Sequence, residues 1–240
     1  MHSAPPPVGV PQRSIDFAVL GEAFRLLFAN WKDYTMAGAA LFAVLIPVTI
    51  LMVVMSFLAE GQPAAPTVIV FFLLMFVFLI GALVVQGCLA AGITNYTLQL
   101  TRNGVASMQD MWMGFKNPMP FTGAFFISGI FTALGVCACI LGTYVVAGLL
   151  MFVWPVMIDR RLGPMEAVRE SWNMLKDEWL MATLFLFVVQ LCASIGIYAC
   201  YVGFAVTYPL TFIAPALLYN KYVGHVPQAP PSASPYPRSP

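Results

Sequence analysis

Charge is scarce in this chain. Charged residues make up 9% of its 240 residues and hydrophobic ones 60%, with a mean hydropathy of +0.85. A soluble domain averages about 25% charged, and a fold this poor in charge cannot cover its surface in water. The sequence is therefore expected to be all-α and embedded in a membrane. Histidine is nearly missing as well. His2 and His225 fall near the two ends, so no histidine is available for metal or acid–base chemistry inside the membrane. The five cysteines, Cys88, Cys137, Cys139, Cys192 and Cys200, sit within apolar stretches and form no CxxC and no Cys/His spacing. They read as small hydrophobes in helix contacts, with an approach of Cys137 or Cys139 to Cys200 as a lesser alternative. No metal or other cofactor is expected, and no nucleic-acid partner. No Asp, Glu, Lys or Arg lies deep in an apolar block. That argues against proton-coupled transport and against an intramembrane hydrolase, both of which need such groups. The start, MHSAPPPVGVPQR, lacks the apolar core of a cleavable signal peptide.

What the chain does have is long apolar runs. A bilayer core of about 30 Å takes about 20 apolar residues as helix. Four blocks, 35–59, 67–93, 119–158 and 179–222, meet that length. The last two are double length and carry breakers, Gly142-Thr143 in one and Gly196 and Gly203 in the other. Six spans are therefore predicted at about 35–59, 67–93, 119–141, 143–158, 179–201 and 203–222, forming a domain over 15–223. With that layout all eleven Lys and Arg residues fall on one face. The positive-inside rule makes that face cytoplasmic and puts both termini there, as expected for a bacterial inner-membrane protein. The ends 1–14 and 224–240, which hold ten of the nineteen prolines, are predicted to be disordered cytoplasmic tails.

A weak repeat runs through the polar connections. EAFRLLFANWKD (22–33) matches EAVRESWNMLKD (166–177), and SMQDMWMGFKN (107–117) falls into the same register. Lys32, Lys116 and Lys176 align, as do Phe28, Trp112 and Trp172. The predicted architecture is three parallel units, each an amphipathic interfacial helix followed by a hairpin of two spans. The third copy shows why a chain this apolar keeps a charged run in its middle. Gly163-Pro164 suits a helix start, and Glu166 lies in the first turn, where a carboxylate suits the helix dipole. Glu166 and Arg169 are spaced to pair. Val168, Trp172 and Leu175 make an apolar stripe. Such a helix lies on the membrane surface.

The segment PVMIDRRLGPMEAVRESWNMLKDEW, with the later PLTFIAPALLYNKY and the MWMGF at 111–115, resembles a known group. It is similar to the six-helix membrane domain found with glycerophosphodiester phosphodiesterases, and to related uncharacterised bacterial integral membrane proteins. Pro155, Asp159, Gly163, Pro164, Glu166, Ala167, Ser171, Trp172, Pro209 and Tyr219 carry the resemblance, over about 20–222. In the phosphodiesterases a catalytic domain follows the membrane domain. The stretch after 222 leaves no room for one, so the resemblance implies no enzymatic activity for this chain.

Two functions remain open. The first is a non-catalytic module that organises membrane lipids, anionic ones above all, or a protein partner whose identity is open. Its contacts would come from a basic cytoplasmic rim of Arg160, Arg161, Arg169 and Lys176 with Arg25, Lys32 and Lys116, at about 1 kcal/mol per charge. Asp159, Gly163, Pro164, Glu166, Ser171 and Trp172 would form its structural motif. The alternative is a small-molecule permease or facilitator, using polar residues such as Gln86 and Gln190. These read first as interhelical hydrogen-bonding groups, because they are isolated along the sequence and make no stripe.

Overall fold

A computed structural model describes residues 14–60, 65–137, 140–198 and 202–224. It is about 89% helical, with no strand among the described residues, which makes the fold all-α. The helices are α1 (Ala18–Ala29), α2 (Trp31–Glu60), α3 (Ala65–Asn103), α4 (Met108–Met111), α5 (Met113–Lys116) and α6 (Pro118–Cys137). They continue with α7 (Ile140–Leu149), α8 (Val153–Arg160), α9 (Pro164–Leu175), α10 (Trp179–Tyr198), α11 (Val202–Thr207) and α12 (Leu210–Val223). Five stretches of the described residues are long and apolar enough to cross a membrane: Trp31–Phe57, Pro66–Asn103, Pro118–Gly135, Gly142–Arg160 and Pro164–Gly196. Large apolar side chains such as Phe57, Ile69, Phe72, Phe76 and Leu191 stand exposed on them, as suits a surface facing lipid. These features fit a multi-pass membrane protein.

The long helices pack as three consecutive pairs, or units. Helix pairs α2/α3, α6/α7 and α10/α11 each pack internally. Between units, α6 packs on α3, α10 on α7, and α2 on α11, so the last unit closes onto the first. A glycine opens each of these three seams. A Cβ on Gly38 of α2 would lie 1.8 Å from the carbonyl oxygen of Ala205 in α11. On Gly87 of α3 it would lie 3.1 Å from the Phe121 oxygen of α6, and on Gly148 of α7 2.9 Å from Thr183 of α10. Short side chains let helices approach closely where dispersion drives association in lipid. The shorter helices obey the same cycle: α1 packs on α12, α4 and α5 on α3, and α9 on α8. At the centre α3, α8 and α12 touch one another pairwise. Phe152 sits there edge-on to Tyr219 and Tyr222, with ring centroids 5.6 and 5.7 Å away.

Several boundaries differ from the sequence prediction. The second predicted span, α3, runs on to Asn103, ten residues past the predicted end, for a total of about 58 Å at 1.5 Å per residue. In its polar extension Thr94, Thr97 and Thr101 donate their hydroxyls to carbonyls four residues back, at 2.8 Å each, so these polar side chains are satisfied within the helix. Gly142-Thr143 is not a turn. Both residues lie inside α7, where a Cβ on Gly135 of α6 would come within 2.9 Å of the Gly142 oxygen. Gly196 and Gly203 likewise lie in α10 and α11 at a close crossing. These glycines serve contact between neighbouring helices. The predicted fourth span breaks at residues 150–152 and the sixth at Tyr208-Pro209, so neither is one continuous helix. The tails fall outside the described residues apart from Ser14 and Gly224, and so does any approach of Cys139 or Cys200.

Candidate functional site

The ends of α3, α8 and α12 bring together the polar side chains of the core. Arg102 donates from Nη1 to Asp159 Oδ1 at 2.5 Å and from Nε to Asn220 Oδ1 at 2.9 Å. Asp159 accepts on its other oxygen from the Tyr219 hydroxyl at 2.8 Å. The Asn220 amide donates to Thr101 Oγ1 at 2.6 Å. Thr101, Tyr219 and Asn220 are buried, and the Arg102 and Asp159 side chains are 25% and 18% exposed. One carboxylate and one guanidinium thus neutralise each other in a polar cluster, which answers the penalty for burying either alone. A second layer fixes the start of α2 against α3. Tyr96 donates to Asp33 at 2.7 Å, and the Tyr34 hydroxyl lies 3.1 Å from Thr97 Oγ1.

A cleft of about 710 Å³ opens beside this hub, between α3, α5, α6 and α8. Its walls carry Arg102, Lys116 and Arg161, with the amides of Asn95, Gln99 and Asn117. Arg161 reaches it because its backbone turns left-handed there, at φ 53°, and sends the chain from α8 into α9. L-residues adopt that conformation seldom, so the turn is a defined feature. Lys116 comes from the end of α5, which Gly114 seats against α3; a Cβ there would lie 2.1 Å from the Cys88 oxygen. Among the described residues neither Lys116 nor Arg161 forms an ion pair. Arg102 Nη2 is buried with no hydrogen-bond partner among them. The arrangement is suited to receiving an anion. Among the described residues no group of three or more His, Cys, Asp or Glu is placed to hold a metal ion.

The predicted basic rim is therefore divided. Arg161 and Lys116 share the cleft. Arg160, one residue away, lines a different cleft: it pairs with Glu170, beside a 540 Å³ space that also holds Asp177 and Glu178. Arg169 and Trp172 border a third, apolar groove of 320 Å³ floored by Phe131, Val146 and Leu150. Arg25, Lys32 and Lys176 are exposed and line none of these three sites. Lys221 is taken up by Glu22 of α1 at 3.0 Å and by Asp16, just before that helix, at 3.7 Å.

The predicted structural motif divides too. Helix α9 begins at Pro164, and the Glu166 carboxylate accepts from the Gly163 N–H at 3.2 Å. Among the described residues it forms no pair with Arg169; capping its own helix uses it instead. The buried face of α9 is Ala167, Val168, Ser171 and Leu175, while Trp172 is 44% exposed at the edge. Ser171 donates at 2.7 Å to the carbonyl of Leu149, the last residue of α7, whose helical partner is lost at the break. The Tyr222 hydroxyl caps α9 at the other end, through the Met174 carbonyl at 2.8 Å. Gln190 lies at the edge of a cavity between α6 and α10, and Gln86, on α3, is not part of it. Arg102, Thr101, Tyr219 and Asn220 were not singled out as a unit from the sequence. The available signal was a polar residue beside a basic one at the end of an apolar run, as in Thr101-Arg102 and Asn220-Lys221.

Comparison with protein-family models, with curated proteins and with solved structures found no match to this chain.

Proposed function

We propose that the chain is a non-catalytic multi-pass membrane protein that holds an anionic lipid headgroup at the cytoplasmic face. In this reading it crosses a bacterial inner membrane six times, as three hairpins each led by an interfacial helix. Both termini then lie with the basic residues in the cytoplasm, and the resemblance to the phosphodiesterase-associated membrane domain belongs to the same proposal. The observation that carries the function is the cleft lined by Arg102, Lys116 and Arg161, in which two of the three cations are uncommitted among the described residues. A phosphate oxygen there would also supply an acceptor for Arg102 Nη2. The alternative, a small-molecule facilitator, draws support from the polar groups around the cavity near Gln190.

Native mass spectrometry of the detergent-purified protein with dioleoylphosphatidylglycerol tests the headgroup site. Lys116→Gln with Arg161→Gln should weaken lipid binding by about thirtyfold, at about 1 kcal/mol per charge. Equal retention by that double variant and the parent protein would overturn the assignment. Orientation is tested separately with a membrane-impermeant thiol reagent. Gln62→Cys should label in intact cells, and Ser107→Cys should label only after lysis.

A further inference from the structure

We propose that the cavity between α6, α7, α8, α10 and α12 binds the uncharged polar part of a neutral lipid that enters sideways from the bilayer. The cavity measures about 270 Å³, the share of liquid volume of roughly nine waters. Six hydrogen-bonding side chains line it, Ser128, Thr132, Trp154, Gln190, Tyr208 and Thr211, drawn from four helices and the α11–α12 break. In the sequence they are isolated polar residues; the fold places them around one space. Ser128 and Gln190 are near the middle of their twenty-residue helices, at the depth where polar groups have no water to turn to.

Two further observations point to an occupant. The Ser128 hydroxyl is buried with no hydrogen-bond partner among the described residues. An unmet polar group at that depth is costly unless a guest satisfies it. Both interrupted helical passages also border this cavity. Leu150 and Met151 come from the break between α7 and α8, and Tyr208 from the break before α12. Non-helical backbone at membrane depth is tolerated where it is buried or lines a cavity, and interrupted helices are where membrane proteins place ligands.

The chemistry of the lining selects the ligand. Among the described residues no Asp, Glu, Lys, Arg or His lines the cavity, so a charged guest would lose its hydration without compensation. Hydroxyl, amide and indole groups suit an alcohol or an ester carbonyl. The route in is lateral. Gln190 is exposed on α10 between Phe187 and Leu191, which are themselves 45% and 59% exposed and lie on the lipid-facing surface. An acyl chain can remain among those side chains while the polar group enters. This site is separate from the basic cleft and does not depend on the headgroup proposal.

The test is native mass spectrometry of the full chain with dioleoylglycerol, and in parallel with free glycerol as a water-borne source of the same chemistry. The parent protein should retain dioleoylglycerol, and Gln190→Leu and Ser128→Ala should each lower retention by about fivefold, the scale of one hydrogen bond. Retention of dioleoylphosphatidylglycerol should stay unchanged in both variants. Ser128→Ala removes a hydroxyl with no partner among the described residues, so it should not lower the unfolding temperature and separates ligand loss from misfolding. Dioleoylglycerol retained equally by parent and both variants would overturn the site. So would no retention at all, and retention of free glycerol without the lipid would overturn the lateral, lipid-borne route.

Discussion

Arg102 and Asn220 are 118 positions apart in the chain, yet the guanidinium of one donates to the amide oxygen of the other at 2.9 Å. The amide nitrogen of Asn220 in turn donates to Thr101, the neighbour of Arg102. Helices α3 and α12 are thus clasped by bonds running in both directions, and the amide is fixed in orientation by having a donor on one side and an acceptor on the other.

Asp159 is the anion of this cluster, holding Arg102 and Tyr219 on its two oxygens. Asp159→Ala should lower stability by about 2–4 kcal/mol, because it leaves a largely buried guanidinium without its counter-charge. Tyr219→Phe removes one hydrogen bond and should cost about 1–2 kcal/mol. Denaturant unfolding in detergent ranks the two. Equal losses would mean that the ion pair adds nothing beyond the tyrosine's hydrogen bond to the same carboxylate.

Two glycines should behave in opposite ways. A Cβ on Gly92 would sit 1.8 Å from the Met111 oxygen, whereas Gly21, in α1, has nothing within 4 Å. Gly92→Ala must push α4 off α3 and should destabilise by about 1–3 kcal/mol or more. Gly21→Ala should stabilise by up to about 1 kcal/mol through helix propensity alone. Thermal unfolding of the pair reads both signs.

Ser171 is a small residue with a specific task. Its hydroxyl satisfies the carbonyl that the break after Leu149 leaves open, and it is fully buried. Ser171→Ala should cost about 1–3 kcal/mol, the penalty for a buried unsatisfied acceptor. Hydrogen exchange should rise first in α9, where the anchoring bond is lost.

Adjacent arginines should differ in their effect on lipid. Arg161 faces the basic cleft and Arg160 pairs with Glu170 elsewhere. Arg161→Gln should weaken retention of an anionic lipid and flatten its salt dependence. Arg160→Gln should leave both unchanged. A matching loss in the two variants would point to general surface charge as the cause.

The sequence made the helices legible wherever the signal was local. Apolar runs announced α2, α6 and α10. The start of α9 was written in Gly163, Pro164 and Glu166, because capping chemistry acts within one turn. The hub was not legible in that way. Arg102 meets Asp159 across 57 positions and Asn220 across 118, and no periodicity within a single helix reports such a meeting. The extension of α3 was missed for a related reason. Thr97 and Thr101 lower hydropathy, which reads as the end of a span, yet their hydroxyls bond to the helix's own carbonyls. Arg160 and Arg161 look interchangeable as neighbours. The left-handed turn at Arg161 separates them.

The closed cycle of packing bears on how the protein is made. Lys221 holds Glu22 across 199 positions, and Gly38 fits against Ala205, so the earliest helices receive their final neighbours from the latest. A ribosome adding about 5–20 residues per second needs roughly 10–40 s to cover that distance. Throughout that interval the first unit must reside in the membrane with one flank unfilled, where lipid or the insertion machinery has to stand in for α11 and α12. A nascent chain truncated before α11 should therefore be a target for quality control even with its five long apolar stretches already made.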